Sequence, residues 1–103
     1  MGRVLMTAVA EARTTVLAPV LDVTAAAPLR EQLLALRGGA AVLDASNVER
    51  LGGLCLQVLM AARKAWTADG FTLRLAEPSD ALIEQLAAFG APDLQHVPTE
   101  DLG

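Results

Sequence analysis

Short β-forming runs alternate along this sequence with stretches that repeat apolar residues at helical spacing, and a glycine closes each helical stretch. Leu29, Leu33 and Leu36 fall at i, i+4 and i+7. Cys55, Leu59, Ala62 and Trp66 repeat the spacing, and so do Leu82, Leu86 and Phe89. Gly38-Gly39, Gly70 and Gly90 follow the three stretches, where helices commonly end. Each helix then has one apolar stripe to bury, and the runs between them supply a sheet to bury it on. At 103 residues the chain has room for a single core. The expected class is therefore α/β, one domain spanning residues 1–103 with its core at about 5–95.

The elements are predicted in the order β-β-α-β-α-β-α. Met6 to Val9 and Thr14 to Leu17 read as strands with a turn between them. A helix from about Thr24 to Arg37 has Asp22 or Thr24 as its N-cap, and Pro28 in its first turn. Ala40 to Leu43 is an unbroken apolar run, as in a strand covered on both faces. The next helix runs from about Leu54 to Asp69, followed by a strand over Phe71 to Leu75. Ser79 is a good N-cap for the third helix, with Asp80 favouring the helix dipole. Asp93 to Val97 reads as a short closing strand, and the acidic tail after it is expected to be mobile.

Composition excludes several functions. The net charge is −4, and among the basic residues only Arg63 and Lys64 adjoin, so no stripe is available to neutralise nucleic-acid phosphates or to hold an anionic membrane. No run is apolar enough to insert into a bilayer, and residues 1–10 are too interrupted for a signal peptide. Cys55 is the only cysteine and cannot form an internal disulfide, which fits a cytoplasmic protein. A single histidine offers no metal constellation.

Catalytic patterns are also absent. There is no GxGxxG, no GxxxxGK[ST] and no GxSxG, and no cofactor is expected. His96 lies far in sequence from any nucleophile, so a surface histidine is the simpler reading. Cys55 follows two glycines at a helix start, where a thiol can be activated, yet it shares the stripe of Leu59 and Trp66 and reads as buried and inert. Asp44 and Ser46 emerge at the carboxyl end of a strand, where binding sites of open α/β sheets collect. Two readings stay open for them and for Asp22: local hydrogen bonds within turns and caps, or a polar recognition surface.

The run Leu43-Asp44-Ala45-Ser46-Asn47-Val48-Glu49-Arg50-Leu51-Gly52-Gly53-Leu54-Cys55-Leu56-Gln57-Val58-Leu59 resembles the signature of STAS domains, the family of bacterial anti-sigma factor antagonists. Leu21-Asp22 and Pro78-Ser79 resemble further landmarks of that family. The resemblance implies a four- or five-stranded mixed sheet with helices packed on one face. It implies a non-catalytic protein–protein interaction module that binds through Asp44, Ser46, Asn47, Gly52, Gly53, Leu54 and Gln57. In some members of the family a kinase phosphorylates a hydroxyl at the start of the second helix. Here that position falls on Gly53, which has no oxygen to phosphorylate. The Glu49-to-Gly53 form, Gln57-Val58-Leu59 and Ala65-Trp66 resemble the stand-alone STAS proteins of bacterial chemotaxis gene clusters, which implies a signalling role. The partners implied are a chemotaxis component, an anti-sigma-type kinase, or, if the chain is instead the STAS subunit of a lipid-transport ABC system, its ATPase. A reading of another class is a small enzyme using Cys55 or Asp44.

Overall fold

Ala41–Asp44 forms the central strand of the sheet, with a parallel neighbour on each side. The structure, a computed structural model, describes residues 12–91. In chain order the elements are β1 (Arg13–Val16), β2 (Val20–Leu21), a 3-10 turn (Val23–Ala25), α1 (Ala26–Leu34), β3 (Ala41–Asp44), β4 (Arg50–Leu51), α2 (Gly53–Asp69), β5 (Leu73–Ala76) and α3 (Asp80–Ala88). The main sheet has the order β1-β3-β5, and β2 pairs with β4 in a separate two-stranded ribbon. Every pairing is parallel.

The registers decide which residues meet the helices. Ala41 lies opposite Arg13 and Leu73, and Leu43 opposite Thr15 and Leu75. Side chains alternate along a strand, so these residues share one face of the sheet. Ala41, Leu43, Leu73 and Leu75 are buried in the same cluster as Leu29 and Leu33 of α1 and Cys55, Leu59, Ala62 and Trp66 of α2. Leu82 and Leu86 of α3 join it, together with Leu17, Leu21, Ala45, Val48 and Leu51 from the connections. The helical stripes therefore do what their spacing implies. Trp66, the largest core residue, donates its indole N–H to the carbonyl of Gly39 at 2.8 Å, so burying it leaves no polar group unpaired.

Several expectations need correction. The first helix is shorter than Thr24 to Arg37: a 3-10 turn precedes it, and after Leu34 the chain tightens into i+3 bonds, Leu36 N–H to Leu33 and Arg37 N–H to Leu34. The central strand is not covered on both faces by the described residues. Val42 is only half-buried, and Thr14, Val16 and Arg74 beside it are exposed. Its unbroken apolar run overstated the burial. Phe89 lies outside the buried stripe of α3, at 47% exposed, because α3 ends at Ala88. Val58 and Leu36 are half-buried at the rim of the core. The strands expected over Met6 to Val9 and Asp93 to Val97, His96 and the acidic tail lie outside the described residues.

Leu33 is 4% exposed beneath α1. Leu33→Ala removes a core side chain and leaves a cavity, so chemical denaturation is expected to show a loss of about 2–5 kcal/mol. A loss under about 0.5 kcal/mol, the level of an ordinary surface substitution, contradicts this packing.

Candidate functional site

The loop after β3 is held from below by main-chain bonds. Ala45 is fully buried. Its N–H donates to Ala76 at 2.9 Å, and its carbonyl accepts from Ser79 N–H at 3.2 Å and Val48 N–H at 3.4 Å. Ser79 caps α3 by accepting from Leu82 N–H at 3.0 Å, and its own hydroxyl donates to the Val48 carbonyl. The N-cap expected from sequence thus also clamps the β3 loop. Glu77, one residue past β5, has φ of 52°, a left-handed conformation rare for a residue with a side chain. It makes the sharp turn from β5 to Pro78 and Ser79.

Asp44 and Ser46 bond to each other. The Asp44 carboxylate accepts from the Ser46 hydroxyl at 2.7 Å and from the Ser46 N–H at 3.0 Å. The hydroxyl bond, helped by the N–H, holds Asp44 below the usual carboxylate range. Asp22 repeats the arrangement at the 3-10 turn, accepting from Thr24 hydroxyl at 2.7 Å, Thr24 N–H at 3.0 Å and Ala25 N–H at 3.2 Å. Its pKa is lowered too, mainly by the Thr24 hydroxyl. Each carboxylate favours the fold above the ordinary value of 3.8, and that contribution is lost as pH falls through the lower folded value. Local hydrogen bonds engage all three residues: Asp22, not Thr24, caps the 3-10 turn that leads into α1, and Asp44 and Ser46 organise their own turn.

The β2–β4 ribbon carries the chain from this loop to α2. It was not legible in the sequence, being two residues per strand. Gly52 N–H donates to Leu21 at 2.8 Å, and a Cβ on Gly52 would lie 3.3 Å from that carbonyl oxygen. Gly52 is therefore fitted to the close backbone approach. Gln85 of α3 holds the other side, accepting from Leu51 N–H at 2.6 Å and donating to the Glu49 carbonyl at 3.1 Å. Gln85 was missed because nothing in a lone glutamine on a helix marks it as a bridge.

Gly53 differs from Gly52. It is the first residue of α2, is exposed, and lacks a left-handed φ. A Cβ there would meet only the Phe89 ring edge, at an ordinary 3.9 Å. Gly52 caps α2 without a side-chain bond. Around Gly53 the surface is apolar: Leu54 and Phe89 are each 47% exposed, and Val23 is 70% exposed just past Asp22, whose Cα packs beside Gly52. The structure thus distributes the expected residues over three places. Asp44, Ser46 and the exposed Asn47 form the β3 turn. Gly52 and Gly53 form the start of α2. Leu54 and Gln57 line a groove between α1 and α2.

Cys55 lies under this surface, fully buried, its thiol 3.3 Å from the Asp22 carbonyl as donor. Burial pushes the thiol pKa up, and the Asp22 charge adds to the shift. Neither favours a nucleophilic thiolate. Among the described residues, no group of three or more His, Cys, Asp or Glu is placed to hold a metal ion, and no helix is long and apolar enough to cross a membrane.

Comparison with known families decides the relationship. The family described as Mlab, STAS domain, matches residues 4–96. The chain belongs to the STAS domain family. No curated protein matches it. The α/β architecture with parallel strands agrees with a STAS-like fold, and a STAS domain is a protein-interaction module of the anti-sigma factor antagonist type.

Cys55 is expected to resist a thiol-labelling reagent in the native STAS domain and to react fully on unfolding in denaturant. Fast stoichiometric labelling of the folded protein would restore the enzyme reading.

Proposed function

We propose that this STAS domain is a non-catalytic, regulatory interaction module that docks a protein partner on the surface around the start of α2. Gly53 carries the reading. It is exposed beside Leu54 and Phe89, and no left-handed backbone or steric restriction in the structure requires glycine there. A helix start without a side chain lets a partner's backbone approach closely, and exposed apolar neighbours supply the area to be buried. The Asp44–Ser46 turn and the β2–β4 ribbon hold the approach to this surface in one conformation, which lowers the ordering cost of binding.

Absence of a hydroxyl at residue 53 removes the family's switch from this position. Ser46 is the nearest hydroxyl in the motif, and its side chain is bonded to Asp44. Incubation with an anti-sigma-type kinase and ATP is expected to leave the intact mass unchanged. Stoichiometric phosphate on Ser46 would overturn this and move the switch to the β3 turn.

Gly53→Glu tests the docking surface. The added charge suits a helix N-terminus, and the side chain has room. Melting is expected to stay close to wild type while partner capture is lost. The measurement is a pull-down from source-cell lysate with both proteins melted in parallel. The identity of the captured protein then separates a chemotaxis component, an anti-sigma-type kinase and an ABC ATPase. A folded Gly53→Glu variant that captures the same proteins equally well places the interface elsewhere.

A further inference from the structure

The groove between α1 and α2 is open, apolar and about 430 Å³ in volume. Its floor includes the buried Leu33, Ala62 and Trp66, and its edges expose Leu34, Leu54 and Ala61. Along α2 it extends from Leu54 to Trp66, about 18 Å at the helical rise. That length takes about three turns of another helix, enough for apolar anchors at i, i+4 and i+7. Ala62 and Ala65 keep the floor low and Ala61 the edge, so such a helix can come close to the α2 backbone.

Charge says which helix. The chain as a whole is acidic, at −4, yet the groove lining holds two cations, Arg30 and Arg37, and no carboxylate. Arg37 pairs with Asp69 at 2.8 Å and lies over the Trp66 ring, 5.8 Å from its centroid, which fixes it at one end. Arg30 is exposed on the groove edge. An acidic side chain flanking an apolar stripe would meet Arg30 there. A basic amphipathic helix would place like charges together, and like-charge contacts reject partners more strongly than matched surface pairs attract them.

We propose that the α1–α2 groove is a docking site for an amphipathic helix of a partner protein that presents an apolar stripe flanked by Asp or Glu. The inference goes beyond the Gly53 surface and does not depend on it, although Leu54 borders both.

Trp66 is the chain's only tryptophan and lines the groove, so its emission reports occupancy. The probe is a displayed library of Trp-free amphipathic helices of about 15 residues, long enough to form three to four turns. Its flanking positions vary among Glu, Gln and Lys, and it is selected against the whole chain. Enriched peptides are expected to be acidic at the flanks and to shift Trp66 emission. Their affinity is expected to fall about tenfold or more in Arg30→Glu and in Ala61→Glu, because each sets a carboxylate against an acidic or apolar face of the peptide. Both positions are exposed, so both variants are expected to melt like wild type. Gly53→Glu is expected to bind these peptides normally while losing the lysate partner, which separates the two surfaces. Enrichment of basic or neutral flanks, no enrichment at all, or wild-type affinity in the Ala61→Glu variant overturns the proposal. Loss in Ala61→Glu but not in Arg30→Glu overturns the acidic partner. A shift of Trp66 emission with oleate, in the absence of any selected peptide, assigns the groove to a lipid and overturns it as well.

Discussion

The buried peptide at Ala45 is the junction on which the rest of this structure depends. Its N–H completes the ladder to β5, and its carbonyl accepts the N–H of Val48 in the returning loop and the N–H of Ser79, the N-cap of α3. A buried peptide group left unpaired costs as much as a lost hydrogen bond or more. Two segments distant in sequence, residues 45–48 and 76–79, must therefore arrive together at this point. β3 can end there without fraying, the chain can turn sharply enough to reach β4, and α3 is drawn in so that Gln85 can bridge Glu49 and Leu51. The start of α2 inherits its position from that chain of bonds. The sheet and its helices supply the hydrophobic driving force, while the polar junction at their end positions the start of α2.

The periodic part of this arrangement was legible in the sequence because burial imposes periodicity. Leu29 and Leu33, the Cys55-to-Trp66 stripe, and Leu82 with Leu86 each lie on the side their spacing assigns. Boundaries moved by one to three residues, as they do where ends fray or tighten. Phe89 failed for a definite reason: it continues the spacing of α3 but sits just past the helix end, where the stripe no longer has a core to face. Val42 failed because apolar residues in a strand need not mean two covered faces. Contacts between single residues far apart in sequence were not legible. Val20 and Leu21 have no pattern of their own, and they become a strand only because Arg50 and Leu51 arrive beside them. Asp44, Ser46 and Asp22 were legible as polar landmarks but not in their roles, since a carboxylate that organises a turn and one that contacts a partner read alike in one dimension.

Gly52 and Gly53 stand next to each other and answer to different constraints. Gly52 is required by the fold: its N–H bonds to Leu21, and a side chain would press on that carbonyl oxygen. Gly53 is free of that demand, and space exists for a side chain. Glycine is a poor helix former compared with alanine even where it is tolerated. The proposed docking surface gives a reason for a residue that weakens the helix slightly and serves no visible packing purpose: it leaves the backbone at the start of α2 open to a partner.

A docking surface without a phosphorylatable hydroxyl has consequences for control. In a switch of the usual kind, a phosphate at a helix start is electrostatically comfortable within its own domain. It acts by repelling or desolvating whatever lies opposite. Leu54, Phe89 and Val23 make this surface one on which such a charge would be costly to bury. Glycine at residue 53 offers no phosphate acceptor, so on the proposed reading the surface stays uncharged at that position. With no covalent switch at that residue, occupancy of this surface is set by the concentrations of the two proteins and by changes made on the partner. The groove between α1 and α2 then matters for selection rather than switching. Arg30 can favour one partner helix over another by charge, and it does so equally at all times.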